Sequence, residues 1–416
     1  MNRTQSTSKS ITLGLAAILV AHALGAGAEP FVPTNDQQVL ERVRVVALDP
    51  AARELRSLRA ALAADPCDPE RAAAFVRCCL ERSRADGDPR HLGHAQAALS
   101  PWWDKAKPPV DVLVLRATLK QGQHDFTKAL ADLDLAVQLA PDHAQAWLTR
   151  VTILTVLGRY DEARQACVPL ARLAPGLIAV TAAASINGLT GRAERSCELL
   201  RAALDGDGLT GVAEKLWALT VLGETYSRLG RAADAEKHFR RALNLGQRDV
   251  YLLGAYADFL LDQHREREVV DLLKDEIRAD SLLLRLCLAE RGIYAASRPI
   301  AEERRSGMNA APLSPHVDAL RARFEASRVR GDNVHRREES RFALGILRQP
   351  DEALRLAWAN WEVQREPADA RILLEAALAA KQPAAAAPAL DFIQQNRLED
   401  AQIAQLIRRL HSLAAK

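Results

Sequence analysis

VDVLVLRATLKQGQHDFTKALADLDLAVQLAPDH (residues 110–143) is followed directly by AQAWLTRVTILTVLGRYDEARQACVPLARLAPGL (residues 144–177), and the two stretches align without a gap. Aromatic, small and proline residues recur at matching positions: Phe126 and Tyr160, Ala129 and Ala163, Pro141 and Pro175. A period of 34 residues indicates helical hairpins stacked side by side. Such a stack forms an extended concave surface and does not by itself build a catalytic site.

A third stretch, residues 216–249, carries the same pattern, and it carries it most completely: Gly223, Tyr226, Gly230, Ala235, Phe239 and Ala242. Small residues let the two helices of a hairpin approach closely, while a glycine such as Gly158, Gly191 or Gly230 permits the left-handed turn between them. With these residues the chain resembles the tetratricopeptide repeat family. The resemblance implies an all-α fold, an α-α superhelix of helical hairpins whose terminal repeats are irregular.

The chain divides into four predicted segments. They are a signal peptide at 1–28, atypical helical hairpins at 29–109, the repeat array at 110–283, and divergent hairpins with a C-terminal helix at 284–416. Asp68-Pro69 is a helix-start signal, and Asp205-Gly206-Asp207-Gly208 reads as a loop. We expect a longer loop at 307–312, a late hairpin near 334–367, another at 368–396 and a terminal helix near 398–414.

The N-terminus has the features of an export signal. Arg3 and Lys9 precede an apolar run, and Ala26-Gly27-Ala28 fits the small-x-small pattern of a cleavage site, which predicts cleavage after Ala28. The alternative is a membrane anchor, but the run is about 15 residues and a span needs about 20. No later segment is long and apolar enough to span. The sequence therefore predicts a periplasmic or secreted protein without an integral span after cleavage.

Charge and motifs exclude several function classes. Without the leader's two basic residues, 54 of the 56 Lys and Arg remain against 53 acids, a net charge of +1. A nucleic-acid protein would show a basic patch or stripe, so no nucleic-acid partner is expected. There is no G-x-S-x-G, no P-loop and no H-E-x-x-H, so we predict no catalytic residues, no enzyme activity and no cofactor.

Three further features favour a structural interpretation. His91 and His94 have a spacing that can ligate a metal, but no third ligand stands nearby, so no metal site is predicted. The six cysteines lack a C-x-x-C pair, and most of them are expected to be buried thiols. The arginines of residues 321–348 alternate with acids, which is typical of a salt-bridged face; a patch for an acidic partner or for lipid headgroups is the alternative.

The family resemblance implies that first helices line a groove for an extended peptide. The candidate protein-binding residues are Gln145, Leu148, Thr152, Trp217, Thr220, Glu224, Arg228, Tyr251 and Asp258. Trp217 and Tyr251 would be the natural anchors, because aromatic residues dominate interface energies. For Trp217 the alternative is packing into a neighbouring hairpin. The Lys and Asn that some family members use to clamp a carboxylate are absent from the candidate positions.

These observations together predict a non-catalytic scaffold or assembly factor of the cell envelope, which presents the groove to one or more envelope proteins. Two alternatives remain open. One is an enzyme or ligand-binding protein with its site in the divergent 284–350 region, which a deep polar pocket there would favour. The other is a periplasmic component of an export machine for polysaccharide or outer-membrane proteins.

Overall fold

The computed structural model describes residues 50–206, 210–297, 314–332 and 334–414. Over these ranges the chain consists of helices joined by loops and contains no strand, which confirms the expected all-α class. Within the same ranges, no helix combines the length and the apolar character that a membrane crossing demands. The predicted leader at 1–28, residues 207–208 of the acidic loop and the loop at 307–312 lie outside the described residues.

The described residues form twenty α-helices, and two short 3-10 helices lie at Ser100–Trp102 and Pro383–Ala386. The α-helices are α1 (Pro50–Ala64), α2 (Pro69–Asp86), α3 (Arg90–Ala98), α4 (Val110–Gly122), α5 (Phe126–Leu139), α6 (Ala144–Val156), α7 (Tyr160–Leu173), α8 (Leu177–Asn187), α9 (Ala193–Gly206), α10 (Val212–Arg228), α11 (Ala232–Leu243), α12 (Val250–Asp262), α13 (Glu266–Leu273), α14 (Asp280–Ala296), α15 (Pro315–Val329), α16 (Arg336–Gly345), α17 (Pro350–Trp361), α18 (Pro367–Ala379), α19 (Ala387–Asn396) and α20 (Ala401–Ala414).

Helix α2 shows how local sequence sets the helix ends. The Asp68 carboxylate accepts hydrogen bonds from the backbone N–H groups of Glu70 and Arg71, and Pro69 takes the first helical position, where no backbone donor is needed. At the other end, Gly87 adopts the left-handed conformation with φ 67° and closes the helix. The predicted helix start at Asp68-Pro69 is therefore confirmed.

In the hairpins α4–α5, α6–α7 and α10–α11 the two helices meet through small residues. Ala129 and Ala163 are fully buried, and a Cβ on Gly223 would stand 2.7 Å from the ring of Phe239 on the partner helix. Each first helix also packs against the first helix of the next hairpin, from α2 through α4, α6, α8, α10, α12, α14, α16 and α18 to α20. The stacked hairpins confirm the predicted solenoid.

The hairpin turns that the structure describes use a left-handed residue, although only some use glycine. Gly158, Gly191 and Gly230 have φ of 70°, 72° and 73°. In the hairpins α4–α5 and α12–α13 the equivalent residues are His124 and His264, with φ of 58° and 55°. The fold therefore holds these two histidines in the left-handed conformation, which is energetically less favourable for histidine than for glycine.

The divergent C-terminal region continues the array. Helices α16 and α17 form the late hairpin expected near 334–367, α18 and α19 form the next one, and α20 is the expected terminal helix. Residues Glu54–Lys416 form a single compact unit; Met1–Arg53, of which only residues 50–53 are described, are not part of it.

The largest hydrophobic core joins parts of the chain that are far apart in sequence. It combines residues of the early hairpins, such as Leu133, Leu154 and Tyr160, with residues of the C-terminal helices, such as Trp361 and Phe392. A solenoid that contacted only its sequence neighbours would not produce such a core. The C-terminal hairpins therefore lie against the early hairpins, and the array closes on itself.

Candidate partner-binding groove

The candidate residues lie on three first helices that stand in one row. They occupy α6, α10 and α12, and α8 lies between α6 and α10 in the same row. On each helix they are spaced by three or four residues, or by seven, so they share one helix face. We call this face, formed by the candidate residues of α6, α10 and α12, the groove.

On α6 the groove offers two accessible polar side chains. Gln145 is exposed, and its amide nitrogen lies 3.2 Å from the Thr149 hydroxyl. Thr152 is exposed, and its hydroxyl donates to the backbone carbonyl of Leu148 at 3.0 Å. Leu148 itself is half-buried against the main core. Gln145 and Thr152 are therefore the α6 residues that a partner could reach.

On α10 two of the candidate residues, Thr220 and Trp217, are buried or half-buried in the protein interior. Thr220 is 1% exposed, and its hydroxyl donates to the Leu216 carbonyl, so it offers no atom to a partner in this structure. Trp217 is half-buried and packs against both of the larger cores. The alternative interpretation of Trp217, packing against neighbouring hairpins, therefore describes its place in the fold.

Glu224 and Tyr251 connect α10 with α12. The Tyr251 hydroxyl donates to the Glu224 carboxylate at 2.8 Å, while the tyrosine side chain remains 61% exposed. The charge of Glu224 raises the pKa of the Tyr251 phenol well above its ordinary value, and burial raises the pKa of the Glu224 carboxyl. The phenol therefore stays protonated and tethered, and the aromatic ring is held in place with much of its surface open.

Arg228 lies one turn beyond Glu224 and is half-buried. One of its terminal nitrogens donates to the Thr225 hydroxyl at 3.1 Å, and its Nε has no hydrogen-bond partner. No carboxylate of the described residues lies within 4 Å of this guanidinium, which distinguishes it from most arginines near the groove.

Asp258, the last candidate on α12, is already paired within the chain. It accepts from Arg285 at 2.5 Å and from Arg341 at 2.8 Å. Burial raises the pKa of the Asp258 carboxyl, but the two guanidinium groups outweigh this and hold the pKa below its ordinary value. Asp258 therefore joins α12 to α14 and α16, and it reaches a partner only if these ion pairs open.

A second bridge crosses from α12 to the C-terminal helices. Arg371 on α18 donates both terminal nitrogens to the two carboxylate oxygens of Asp262, each at 2.7 Å. At the start of α18, Arg337 of α16 contacts Glu366 at 2.8 Å and Asp369 at 3.3 Å. Bidentate arginine–carboxylate pairs of this kind specify geometry as well as adding energy. The groove thus faces helices of the same chain, a relationship that no local sequence signal indicated.

The other candidate sites in the sequence are structural. His91 Nε2 lies 3.3 Å from Asp86, His94 is exposed, and the described residues contain no group of three His, Cys, Asp or Glu placed to hold a metal. In the arginine-rich stretch, Arg321, Arg323, Arg328, Arg330, Arg337 and Arg341 each pair with a carboxylate. The salt-bridged interpretation of that stretch is the one that the structure shows.

The cysteines are free thiols. Cys78, Cys79, Cys197 and Cys287 are buried, Cys167 is half-buried and Cys67 is exposed. Burial raises the pKa of Cys79, Cys167 and Cys197 to about 11 and that of Cys287 to about 12. The thiolate is the reactive form, so these buried cysteines are packing residues.

Two surface depressions have volumes typical of ligand sites, and both lie away from the groove. One, of about 480 Å³, is lined by residues between 240 and 272 that include Arg240, Tyr256 and Asp271. The other, of about 410 Å³, lies between residues 93 and 104 beside Trp103. Neither includes residues of the 284–350 region.

Comparison with known proteins agrees with the repeat architecture. The family model of the tetratricopeptide repeat matches residues 218–245, which comprise parts of α10 and α11 and their turn. No curated protein sequence matches the chain.

Several solved structures are similar at low identity. A tetratricopeptide repeat protein from Parabacteroides merdae is 17% identical over 58% of this chain and 92% of its own, with a TM-score of 0.42. The APC/C hetero-tetramer Cut9-Hcn1 is 13% identical over 86% of this chain and 58% of its own, with a TM-score of 0.41. A monomeric mutant of IFIT1 with Gppp-AAAA is 13% identical over 87% and 85%, with a TM-score of 0.43. At this level, the similarity says nothing about a partner or a ligand.

Proposed function

Because this chain is a tetratricopeptide-repeat protein, we propose that it is a non-catalytic scaffold or assembly factor of the cell envelope, and that it holds a partner protein along the groove. Stacked repeats of this kind present extended binding surfaces and typically act by display. The first helices would contact the partner, and the second helices would maintain their spacing. The export signal predicted at residues 1–28 supports the envelope as the compartment.

The observation that carries the proposal is the open, tethered ring of Tyr251. Its hydroxyl is held by Glu224 at 2.8 Å, yet the side chain is 61% exposed. A large aromatic group that is already ordered loses little conformational freedom on binding and can bury much apolar area. Gln145 and Thr152 extend the same surface along α6 with groups that can hydrogen-bond a peptide backbone.

The experiment is photo-crosslinking in cells. A photo-reactive residue replaces Tyr251 in one strain and Gln145 in another, and adducts in envelope fractions are identified by mass spectrometry. Val168 on α7 provides the control, because it is a 53% exposed apolar residue on a second helix. We expect one dominant envelope protein to be captured from Tyr251 and Gln145 and not from Val168. Equal capture from all three positions, or none from the first two in folded, exported protein, would refute the groove.

The compartment is tested in the same cells. The mature N-terminus, read by mass spectrometry from the envelope fraction, should be Glu29. If the protein is recovered only in the cytosolic fraction, with its leader intact, the envelope is not its compartment. That result would not bear on the groove, which the crosslinking experiment tests separately.

A further inference from the structure

The Glu224 carboxylate stands in the groove without a basic partner. The Tyr251 hydroxyl donates to it at 2.8 Å, and no Lys, Arg or His of the described residues forms an ion pair with it. The other carboxylate of the groove, Asp258, accepts from two arginines. Burial disfavours the charged form of a carboxyl unless a cation compensates it. Glu224 is therefore the groove carboxylate whose charge a partner can still neutralise.

The arginines of the C-terminal helices, which face the groove, already have carboxylate partners. Arg337 contacts Glu366 at 2.8 Å, and Arg371 donates to both oxygens of Asp262 at 2.7 Å. Burial raises the pKa of the Glu224 carboxyl, and the charge of Glu366 raises it further. The facing helices therefore leave the charge of Glu224 without a bound cation.

Arg228 lies one turn beyond Glu224 on α10, at a spacing that permits an ion pair. Its guanidinium instead donates to the Thr225 hydroxyl at 3.1 Å, and a Cβ at Gly188 would stand 3.4 Å from one of its nitrogens. Gly188 follows α8, whereas Tyr251 belongs to α12, and these two helices flank α10 on opposite sides. Arg228 is therefore held on the side of α8, while Glu224 is bound to α12, and the two charges do not pair.

The Tyr251 ring is open to an incoming group. The side chain is 61% exposed, and no cation or aromatic ring of the part of the chain that the structure describes stacks on it. Elsewhere arginines take such positions: Arg231 lies 4.7 Å from the centroid of the Tyr226 ring, and Arg365 lies 5.9 Å from that of Trp361. The quadrupole of an aromatic ring attracts a cation placed over its face. Tyr251 offers this interaction to a group from outside the chain.

The carboxylate and the ring lie within reach of one long side chain, because the hydroxyl of Tyr251 is bound to Glu224. A lysine or arginine side chain combines a cation with an apolar stem of methylene groups. The cation can pair with Glu224 while the stem packs along the ring. Glu224 would repel an acidic side chain, and a neutral one would leave its charge uncompensated.

We propose that Glu224 and Tyr251 recognise a basic side chain, lysine or arginine, in the partner segment that occupies the groove. This inference rests on the proposed function of the groove and adds the chemistry of the partner. The charge-assisted hydrogen bond to Glu224 fixes the register of the segment, because one of its residues must occupy this site. The exposed polar side chains of Gln145 and Thr152 on α6 are then available to the rest of the segment.

Peptide binding tests the site directly. The purified full-length protein is titrated with pools of short capped peptides that have randomised flanks and a fixed central residue, which is Lys, Arg, Gln or Glu. We expect the Lys and Arg pools to bind about tenfold more tightly than the Gln pool, the scale of one hydrogen bond to a charged group. The Glu pool should bind more weakly than the Gln pool.

Glu224→Gln isolates the charge. The glutamine amide keeps an oxygen that can accept from the Tyr251 hydroxyl, so the variant removes the charge with little change in shape. It should bind the Lys, Arg and Gln pools alike. Tyr251→Leu should keep a reduced preference for the basic pools, because only the ring is lost. Glu198→Gln, at an exposed residue of α9, makes the same change of charge outside the groove and should bind like the wild type.

Three results overturn the inference. One is equal binding of the basic and Gln pools by the wild type. Another is a preference for the Glu pool that Arg228→Gln abolishes, which would show that the groove selects an acidic partner through Arg228. The third is the absence of binding to every pool while urea unfolding shows that the protein is folded.

Crosslinking in cells from Gln145, in chains with and without Glu224→Gln, separates this inference from the proposed function. Capture that falls about tenfold in the Glu224→Gln chain supports both. Undiminished capture leaves the groove standing and overturns the recognition of a basic side chain. If neither chain captures a protein, the groove is refuted, and the site for a basic side chain is refuted with it.

Discussion

The ring of Phe392 lies so close to Gly158 that a Cβ on residue 158 would stand 2.6 Å from the ring atom Cε2. The two residues are 234 positions apart, and the ring also packs against Tyr160 and Trp361, with centroids 5.9 and 5.3 Å away. Gly158 thus satisfies two demands at once, a left-handed turn and the close approach of a distant side chain. A side chain at residue 158 would therefore destabilise the protein in two ways, through strain in the left-handed turn and through overlap with the Phe392 ring.

Gly158→Ala should destabilise the protein more than Gly246→Ala. Both glycines are left-handed, with φ of 70° and 73°, so both variants carry a strain of about 1–2 kcal/mol. Nothing lies within 4 Å of a Cβ at Gly246, whereas Gly158→Ala also overpacks the Phe392 ring, which adds about 1–3 kcal/mol. Urea unfolding checks the difference. Equal midpoints for the two variants would mean that Phe392 does not pack on this turn.

His264→Gly should stabilise the protein by about 0.5–1 kcal/mol. His264 is left-handed at φ 55°, and relief of that strain exceeds the entropy that glycine adds to the unfolded chain. Its side chain is 90% exposed, so little packing is lost. The matched position, His124, stacks on Phe126 at 5.4 Å, and His124→Gly should gain less or lose stability. Thermal unfolding of the two variants gives the comparison.

Ala129→Leu should lower the free energy of unfolding by about 1–3 kcal/mol, because a large side chain does not fit where α5 meets α4. Ala129 is fully buried. Ala131, on the same helix, is exposed, so Ala131→Leu should stay within about 0.5 kcal/mol of the wild type. If denaturant unfolding shows the reverse order, α5 does not turn the face of Ala129 toward α4.

Glu236 should make stability depend on pH. Hydrogen bonds from Arg265 lower the pKa of its carboxyl to about 2, against about 4.5 in the unfolded chain. A lowered pKa stabilises the fold above the unfolded value, and this contribution is lost as pH falls from about 4.5 to about 2. Glu236→Gln should therefore reduce stability by about 1–3 kcal/mol at pH 7.

The deficit of Glu236→Gln should shrink as unfolding is measured at successively lower pH below about 4.5. Glu198→Gln provides the control, because the pair of Glu198 with Arg195 is more than 60% exposed on both sides and contributes little. A Glu236→Gln deficit that stays constant down to pH 3 would show that the pairing with Arg265 does not affect folding.

Much of the local structure could be predicted from the sequence, because helix ends and hairpin contacts depend on neighbouring residues. Asp68-Pro69 specifies a helix start through its own side chain and ring. Ala129 and Ala163 specify close helix packing through their size. The left-handed turns at His124 and His264 could be found only by counting 34 residues from Gly158 and Gly230, since histidine carries no turn signal of its own.

The residues of the candidate groove could be predicted from the sequence only in part. Repeat positions placed Gln145, Thr152 and Tyr251 on one face, and they are exposed there. The same positions also included Thr220, which is buried, because repeat numbering does not report how deeply a given helix sits among its neighbours. Whether the exposed residues bind a partner stays a prediction.

The sequence by itself determined that this protein is built from stacked helical hairpins, because a 34-residue period, small residues and turn signals act within one hairpin or between neighbours. Only the tertiary structure decided that the array closes on itself. Phe392 packs against Gly158, Glu399 accepts a hydrogen bond from the first residue of α9, and Arg371 pairs with Asp262. These contacts join residues 109 to 234 positions apart. These contacts form only because each hairpin adds a small rotation to the superhelix. No single repeat determines the sum of those rotations.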